Sequence, residues 1–115
     1  MTPQELWARY SQMWSSQEPA RTAEMESCLA PEPRYSDPNV SLLGRAALAG
    51  YMAQFQASMP GCRFDIRSVV HHHARSLAHW CLVDGSGAEL QNGVSFARHA
   101  VDGRLEDISG FFPQP

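Results

Sequence analysis

The chain has 115 residues, 9 basic against 12 acidic, a net charge of −3 at pH 7, 43% hydrophobic and 18% charged residues. That length is one domain with one real core, and the apolar fraction excludes a disordered chain. The basic residues are all arginine and scattered, which excludes the clustered basic face of a nucleic-acid binder.

No apolar run approaches the ~20 residues of a membrane span, and the start MTPQELWARY has polar and acidic residues where a signal peptide needs an apolar stretch. Cys28, Cys62 and Cys81 make an odd count without CxxC spacing. A disulfide framework is not expected, and a reducing, cytoplasmic setting is.

Thr2-Pro3-Gln4-Glu5 predicts a helix start: Thr2 caps, Pro3 suits the first helical position, and Glu5 completes a capping box. Leu6, Trp7, Tyr10, Met13 and Trp14 then form one apolar stripe. Pro19 opens a second helix with a narrower stripe of Met25, Cys28 and Leu29, and Pro31-Glu32-Pro33 ends it. Arg34 to Asp37 reads as a short strand, and Asp37-Pro38-Asn39 as a turn. Gly44 to Met59 is the clearest helix, with Leu48, Tyr51, Met52, Phe55 and Met59 on one face, stopped by Pro60-Gly61.

From Cys62 the period changes to two. In Cys62–Ala74, Phe64, Ile66, Ser68, Val70 and His72 share the drier face, expected to point to the core. Arg75–Asp84 puts Ala78, Trp80 and Leu82 on one side and the largely apolar Leu77, His79, Cys81 and Val83 on the other. The Asp84–Gly87 turn joins it to Ala88–Val101, where Leu90, Asn92, Val94 and Phe96 share a face. Asp102-Gly103 turns the chain into a last strand, Arg104–Phe112. The expected architecture is α+β: a cone-shaped curved antiparallel sheet of four long strands and one short one, wrapped around three helices from the N-terminal half, as a single domain over 1–115.

The Tyr-Ser-Asp-Pro element with Gly44, the segment from His71-His72-His73 to Trp80, Gly93, and the ending Asp102-Gly103-Arg104-Leu105 to Gly110-Phe111-Phe112 resemble the nuclear transport factor 2-like superfamily, and within it the SnoaL-like group. The resemblance covers nearly the whole chain. It implies a cystatin-like α+β roll whose cone holds a small apolar molecule, often as a homodimer, in a group that includes ketosteroid isomerases, polyketide cyclases and dehydratases. In the isomerases the general base is an Asp directly before a Pro, which Asp37-Pro38 matches. Their oxyanion-binding Tyr follows an Arg on the first helix, as in Arg9-Tyr10. Their second donor, an acid on the penultimate strand, falls at or near Val94, which cannot donate.

Asp37 is the only carboxylate before the last helix that sits in a strand-like segment. It is either a base facing an apolar pocket or a cap for the turn at Asn39-Val40. Tyr10 is either an oxyanion donor or an aromatic core residue with its hydroxyl at the rim. His72 is a proton relay beside Asp37 or a hydrogen-bonded core histidine. The three adjacent histidines alternate between faces, so no metal site is expected. Under this fold Trp14, Tyr51, Phe55, Trp80, Asn92, Phe96 and Phe112 are all expected to line a ligand pocket. The functional expectation is a cofactor-independent isomerase, cyclase or dehydratase acting on a small apolar carbonyl compound. The alternative is a non-catalytic binding or dimerisation module. A homodimer through the outer sheet face is expected, because that face would otherwise expose an apolar patch.

Overall fold

The computed structural model describes residues 1–113. Helix α1 (Pro3–Met13) starts as its sequence dictates: Thr2 Oγ1 accepts from the Glu5 backbone N–H at 3.1 Å, with Pro3 in the first turn. Its stripe of Leu6, Trp7, Tyr10 and Met13 is buried. Helix α2 (Ala20–Cys28) packs beside it. The Arg9 guanidinium grips the Glu24 carboxylate through two N–H donors, at 2.6 and 2.9 Å, and joins the two helices. Strands β1 (Leu29–Asp37) and β2 (Val40–Leu43) precede helix α3 (Arg45–Ser58). Then come β3 (Arg63–His72), β4 (Arg75–Val83), β5 (Glu89–His99) and β6 (Leu105–Phe111).

The six strands form one curved, unclosed sheet in the order β2-β1-β6-β5-β4-β3, with the helices on its concave side. The core under the sheet is built on Trp7, Leu29, Leu48, Met52, Leu105 and Ile108, each nearly or fully inaccessible. The α+β cone and its three helices follow the sequence reading. On α3, Leu48 and Met52 are buried and Tyr51, Phe55 and Met59 half-buried, so the predicted stripe faces inward.

Three features depart from that reading. First, β1 starts at Leu29, and β2, a four-residue strand, was not expected. Pro31 and Pro33 have no N–H to donate, and β1's pairing with β6 breaks its register between Leu29 and Arg34, where the prolines lie. Second, the β1–β6 pair is parallel, whereas every other pair is antiparallel. Third, the β3–β4 register shifts between Ile66 and Ser68, which places one extra residue, Arg67, in β3. Phe64 and Ile66 stay on the core side. Beyond the bulge the faces swap: Val69 packs on the core, while Val70 is 60% exposed.

The convex face of the sheet carries the apolar excess. Cross-strand pairing sets Val70, Leu77 and Phe96 in one row, and Val94 and Phe111 in the next. Phe111 is 58% exposed. Cys81 and Val83, expected to contribute to that patch, are already buried within the chain. Gly50 sits in the middle of α3 with nothing within 4 Å of where a Cβ would be. Gly50→Ala therefore adds about 1 kcal/mol of stability, because glycine loses more backbone entropy in a helix. A thermal melt should show a rise of a few degrees.

Candidate functional site

The sheet curls over α1 and α3 and leaves a cavity of about 380 Å³. Helix α1 contributes Trp7, Tyr10 and Ser11 and, just beyond its end, Trp14. Helix α3 contributes Tyr51, Gln54, Phe55 and Ser58. The sheet contributes the inward rows Phe64–Leu82–Gln91 and Ile66–Trp80. The walls are aromatic. Phe55 and Phe64 stack at 5.0 Å, and Trp14 meets Tyr51, Phe55 and Phe64 edge-on at 5.6 to 5.7 Å. The Trp80 indole lies across Gly93, where a Cβ would fall 2.1 Å from its Cζ2, and its Nε1 donates to Ser95 Oγ at 3.0 Å. All three tryptophans of the chain line the cavity.

The polar end is built around Asp37, at the tip of β1. Its Oδ1 accepts from the backbone N–H of Asn39 at 2.8 Å and of Val40 at 3.2 Å, which closes the β1–β2 turn. Its Oδ2 accepts from the hydroxyls of Tyr35 at 2.7 Å and Tyr51 at 2.8 Å. Oδ1 thus caps the turn, as one of the two sequence readings expects, while Asp37 also lies at the cavity wall with Oδ2 held by the two phenols. The arrangement follows from strand alternation, which puts Tyr35 and Asp37 on one face of β1, and from the α3 stripe that carries Tyr51 opposite.

These tyrosines hold their protons firmly. Burial raises the Tyr35 pKa far above the ordinary phenol range, and the nearby Tyr10 and the carboxylate of Asp37 add to it. Tyr51 is pushed up to about 12, first by burial and then by its bond to Asp37, with Asn39 opposing. Tyr10 is raised by burial, with Trp14 pulling the other way and the Asp37 charge adding a smaller push. The Tyr10 hydroxyl is itself buried and has no hydrogen-bond partner among the described residues.

Of the residues singled out from sequence, Asp37, Tyr10, Trp14, Tyr51, Phe55, Trp80 and Phe112 meet around this one cavity. His72, Asn92 and Phe96 do not. The bulge at Arg67 reverses the β3 faces, and His72 ends at the exposed hairpin tip, its Nδ1 3.3 Å from that of His73. In β5 the shared face of Leu90, Asn92, Val94 and Phe96 is real but convex: Asn92 pairs with Cys81 and Phe96 with Leu77, while Gln91, Gly93 and Ser95 look inward. Sequence reasoning missed Tyr35, although its i, i+2 spacing to Asp37 signalled a shared face. It also missed Trp7 and Phe64, which were read as core, and Ser95, which nothing in the pattern marks.

Among the described residues no three His, Cys, Asp or Glu side chains converge as metal ligands, and no helix is long and apolar enough to cross a membrane.

A cone of curved sheet over three helices, with an aromatic cavity and a carboxylate at one end, defines the class: a nuclear transport factor 2-like α+β domain. The chain belongs to the SnoaL-like domain family, whose model matches residues 7–108. The resemblance read from its Tyr-Ser-Asp-Pro and Asp-Gly elements is borne out. A candidate isomerase of the SnoaL-like family from Agrobacterium tumefaciens superposes with a TM-score of 0.87 at 21% identity, covering 96% of this chain and 97% of that one. A candidate SnoaL-like polyketide cyclase from Jannaschia superposes at 0.77 with 16% identity, over 94% of this chain and 83% of that one. A nuclear transport factor 2-like protein of unknown function from Mesorhizobium loti superposes at 0.70 with 22% identity, over 96% and 90%. At these identities the likeness speaks to fold. No curated protein matches the chain.

Proposed function

We propose that the cavity holds a small, ring-bearing, largely apolar molecule and that Asp37 is the proton acceptor of a cofactor-independent acid–base enzyme, of the kind the family's isomerases and cyclases represent. The observation that carries this is the position of Asp37 Oδ2 at the cavity wall, bridged by the hydroxyls of Tyr35 and Tyr51. Donors already occupy both carboxylate oxygens, so a ligand proton reaches Asp37 through Tyr51. The phenol takes the proton from the ligand as its own passes to Oδ2. Phe55 and Trp80 supply the flat apolar walls.

The test begins with a screen of small ring compounds by quenching of the three cavity tryptophans. Turnover of a compound so found should fall at least about 100-fold in Asp37→Asn, the scale of a lost acid–base group. Turnover that survives the change would remove Asp37 from this role. Quenching without turnover of any compound would instead support a binding module, a reading favoured by the same four hydrogen bonds, which leave Asp37 no direct contact to offer.

We propose further that two copies pair through the convex sheet face, where Val70, Val94, Phe96 and Phe111 form an apolar patch. Light scattering should give twice the chain mass. Phe111→Asp should return the single-chain mass without loss of fold, and a wild-type monomer would refute the pairing. The three unpaired cysteines support a cytoplasmic setting.

A further inference from the structure

Resting on that reading of the cavity as a ligand site, we infer that its occupant is a small organic cation: a protonated amine on an aromatic or alicyclic frame, with its N–H directed at the Tyr35 and Tyr51 oxygens.

Three independent features of the site carry this. The first is charge. Among the described residues that line the cavity, Asp37 is the only charged one, and no arginine or histidine faces it. An anionic ligand would meet one negative charge in apolar surroundings with nothing to offset it. A cation would meet its counter-charge there.

The second is hydrogen-bond direction. The buried Tyr35 and the half-buried Tyr51, both lining the cavity at its polar end, donate to Asp37 Oδ2. Each phenol has one proton, and it is spent. What Tyr35 and Tyr51 turn toward the lumen is oxygen lone pairs, made more electron-rich by the carboxylate they serve. The Tyr10 hydroxyl is uncommitted but buried. A ligand with only a carbonyl therefore finds acceptors facing its acceptor, whereas an ammonium N–H finds acceptors to fill. The exposed Asn39 amide acts as a donor toward the Tyr51 oxygen and shares it with the ligand, whereas the Tyr35 oxygen has no such neighbour among the described residues. Gln54 and Ser58, also exposed at the rim, present donors and acceptors alike.

The third is the wall itself. Nine of the twenty lining residues are aromatic. The faces of Trp14 and Trp80 carry negative charge density that attracts a desolvated cation, so the apolar part of the site favours the same charge as its polar end.

Four probes of one shape separate the possibilities: N,N-dimethylbenzylamine, protonated at neutral pH; isobutylbenzene, its uncharged isostere; phenylpropanone, a pure acceptor; and phenylacetate, an anion. Tryptophan quenching of the wild-type protein should rank the amine at least about tenfold tighter than isobutylbenzene, the scale of a desolvated cation–π contact, with the ketone weaker than the amine and phenylacetate weakest. Asp37→Asn should reverse the order of amine and ketone. An amide N–H then donates to a tyrosine oxygen and frees that phenol's proton for a carbonyl. If isobutylbenzene or the ketone binds the wild type as well as the amine, the cation assignment is wrong and the ligand-site reading stands. If none of the four binds, the ligand-site reading fails, and the cation assignment with it. The wild-type ranking decides the matter even if the variant does not fold.

Discussion

Gly93→Ala unseats Trp80 and costs about 3 kcal/mol, lowering the melting temperature by roughly 10 °C for a domain of this size. The expectation comes from one close approach. A Cβ at position 93 would lie 2.1 Å from Trp80 Cζ2, 2.3 Å from Cη2 and 2.7 Å from Cε2, well inside contact distance for all three. The two residues face each other in the β4–β5 pairing, so neither can step aside without breaking register. The indole has to leave. Its Nε1 then loses Ser95 Oγ, and its ring loses Phe64 at 5.1 Å and Phe112 at 6.0 Å. Tryptophan emission should shift to the red as Trp80 meets water, and its share of any ligand quenching should be lost. An alanine-substituted protein with the wild-type melting temperature and emission would show that the indole does not rest on Gly93. Gly50→Ala serves as the control: it places the same methyl in open space on α3 and stabilises.

The legible parts of the fold are those where one period runs long enough to be counted. The α3 stripe from Leu48 to Met59 spans three turns, and the alternation of Ala78, Trp80 and Leu82 spans most of β4. Both were readable and both hold. What escaped is shorter or depends on another strand. At four residues, Val40–Leu43 shows too little alternation to declare itself. The parallel partnership of β1 with β6 joins segments about seventy residues apart, and no local pattern encodes strand direction. The bulge at Arg67 leaves a continuous strand in sequence while reversing its faces in space, and that reversal removes His72 from the site.

The same distinction governs the cavity. Asp37 was legible because it stands directly before Pro38 in an extended segment, where turn chemistry and a pocket-facing carboxylate are both readable. Its two partners differ. Tyr51 belongs to a helical stripe and was marked by it, whereas Tyr35 needed only the i, i+2 rule and was passed over. Phe96 and Asn92, expected in the cavity under the cone fold, lie on the convex face of β5. The inward face instead carries Gly93 and Ser95, small residues that make room for Trp80 from β4. On a sheet whose convex side is also apolar, hydrophobicity alone does not tell inside from outside, and the size of the cross-strand partner does.

The protein resists tyrosine ionisation well above pH 10 and then unfolds as its tyrosines ionise together. The chain has three tyrosines, and all three line the cavity. Burial raises each pKa: Tyr51 to about 12, and Tyr10 and Tyr35 further above the ordinary phenol range, with the negative charge of Asp37 adding to all three. The sign of the stability effect follows. In the unfolded chain each phenol loses its proton near pH ~10, while the native state keeps it. Above that pH the unfolded state binds fewer protons, so stability is complete below ~10 and falls as pH rises through the native values. The slope is about 1.4 kcal/mol per pH unit for each buried tyrosine, or roughly 3 for Tyr10 and Tyr35 together, and the more exposed Tyr51 adds less. A small domain stable by ~5–15 kcal/mol then loses its fold over a narrow alkaline range. The tyrosinate absorbance band, followed with circular dichroism against pH, should stay flat past pH ~10 and rise in one step that coincides with loss of structure. A gradual rise centred near ~10 while the fold persists would place the three hydroxyls in water and dissolve the polar end of the cavity. Asp37→Asn removes the negative charge and offers an amide N–H to a tyrosine anion, so the step should move to lower pH in that protein.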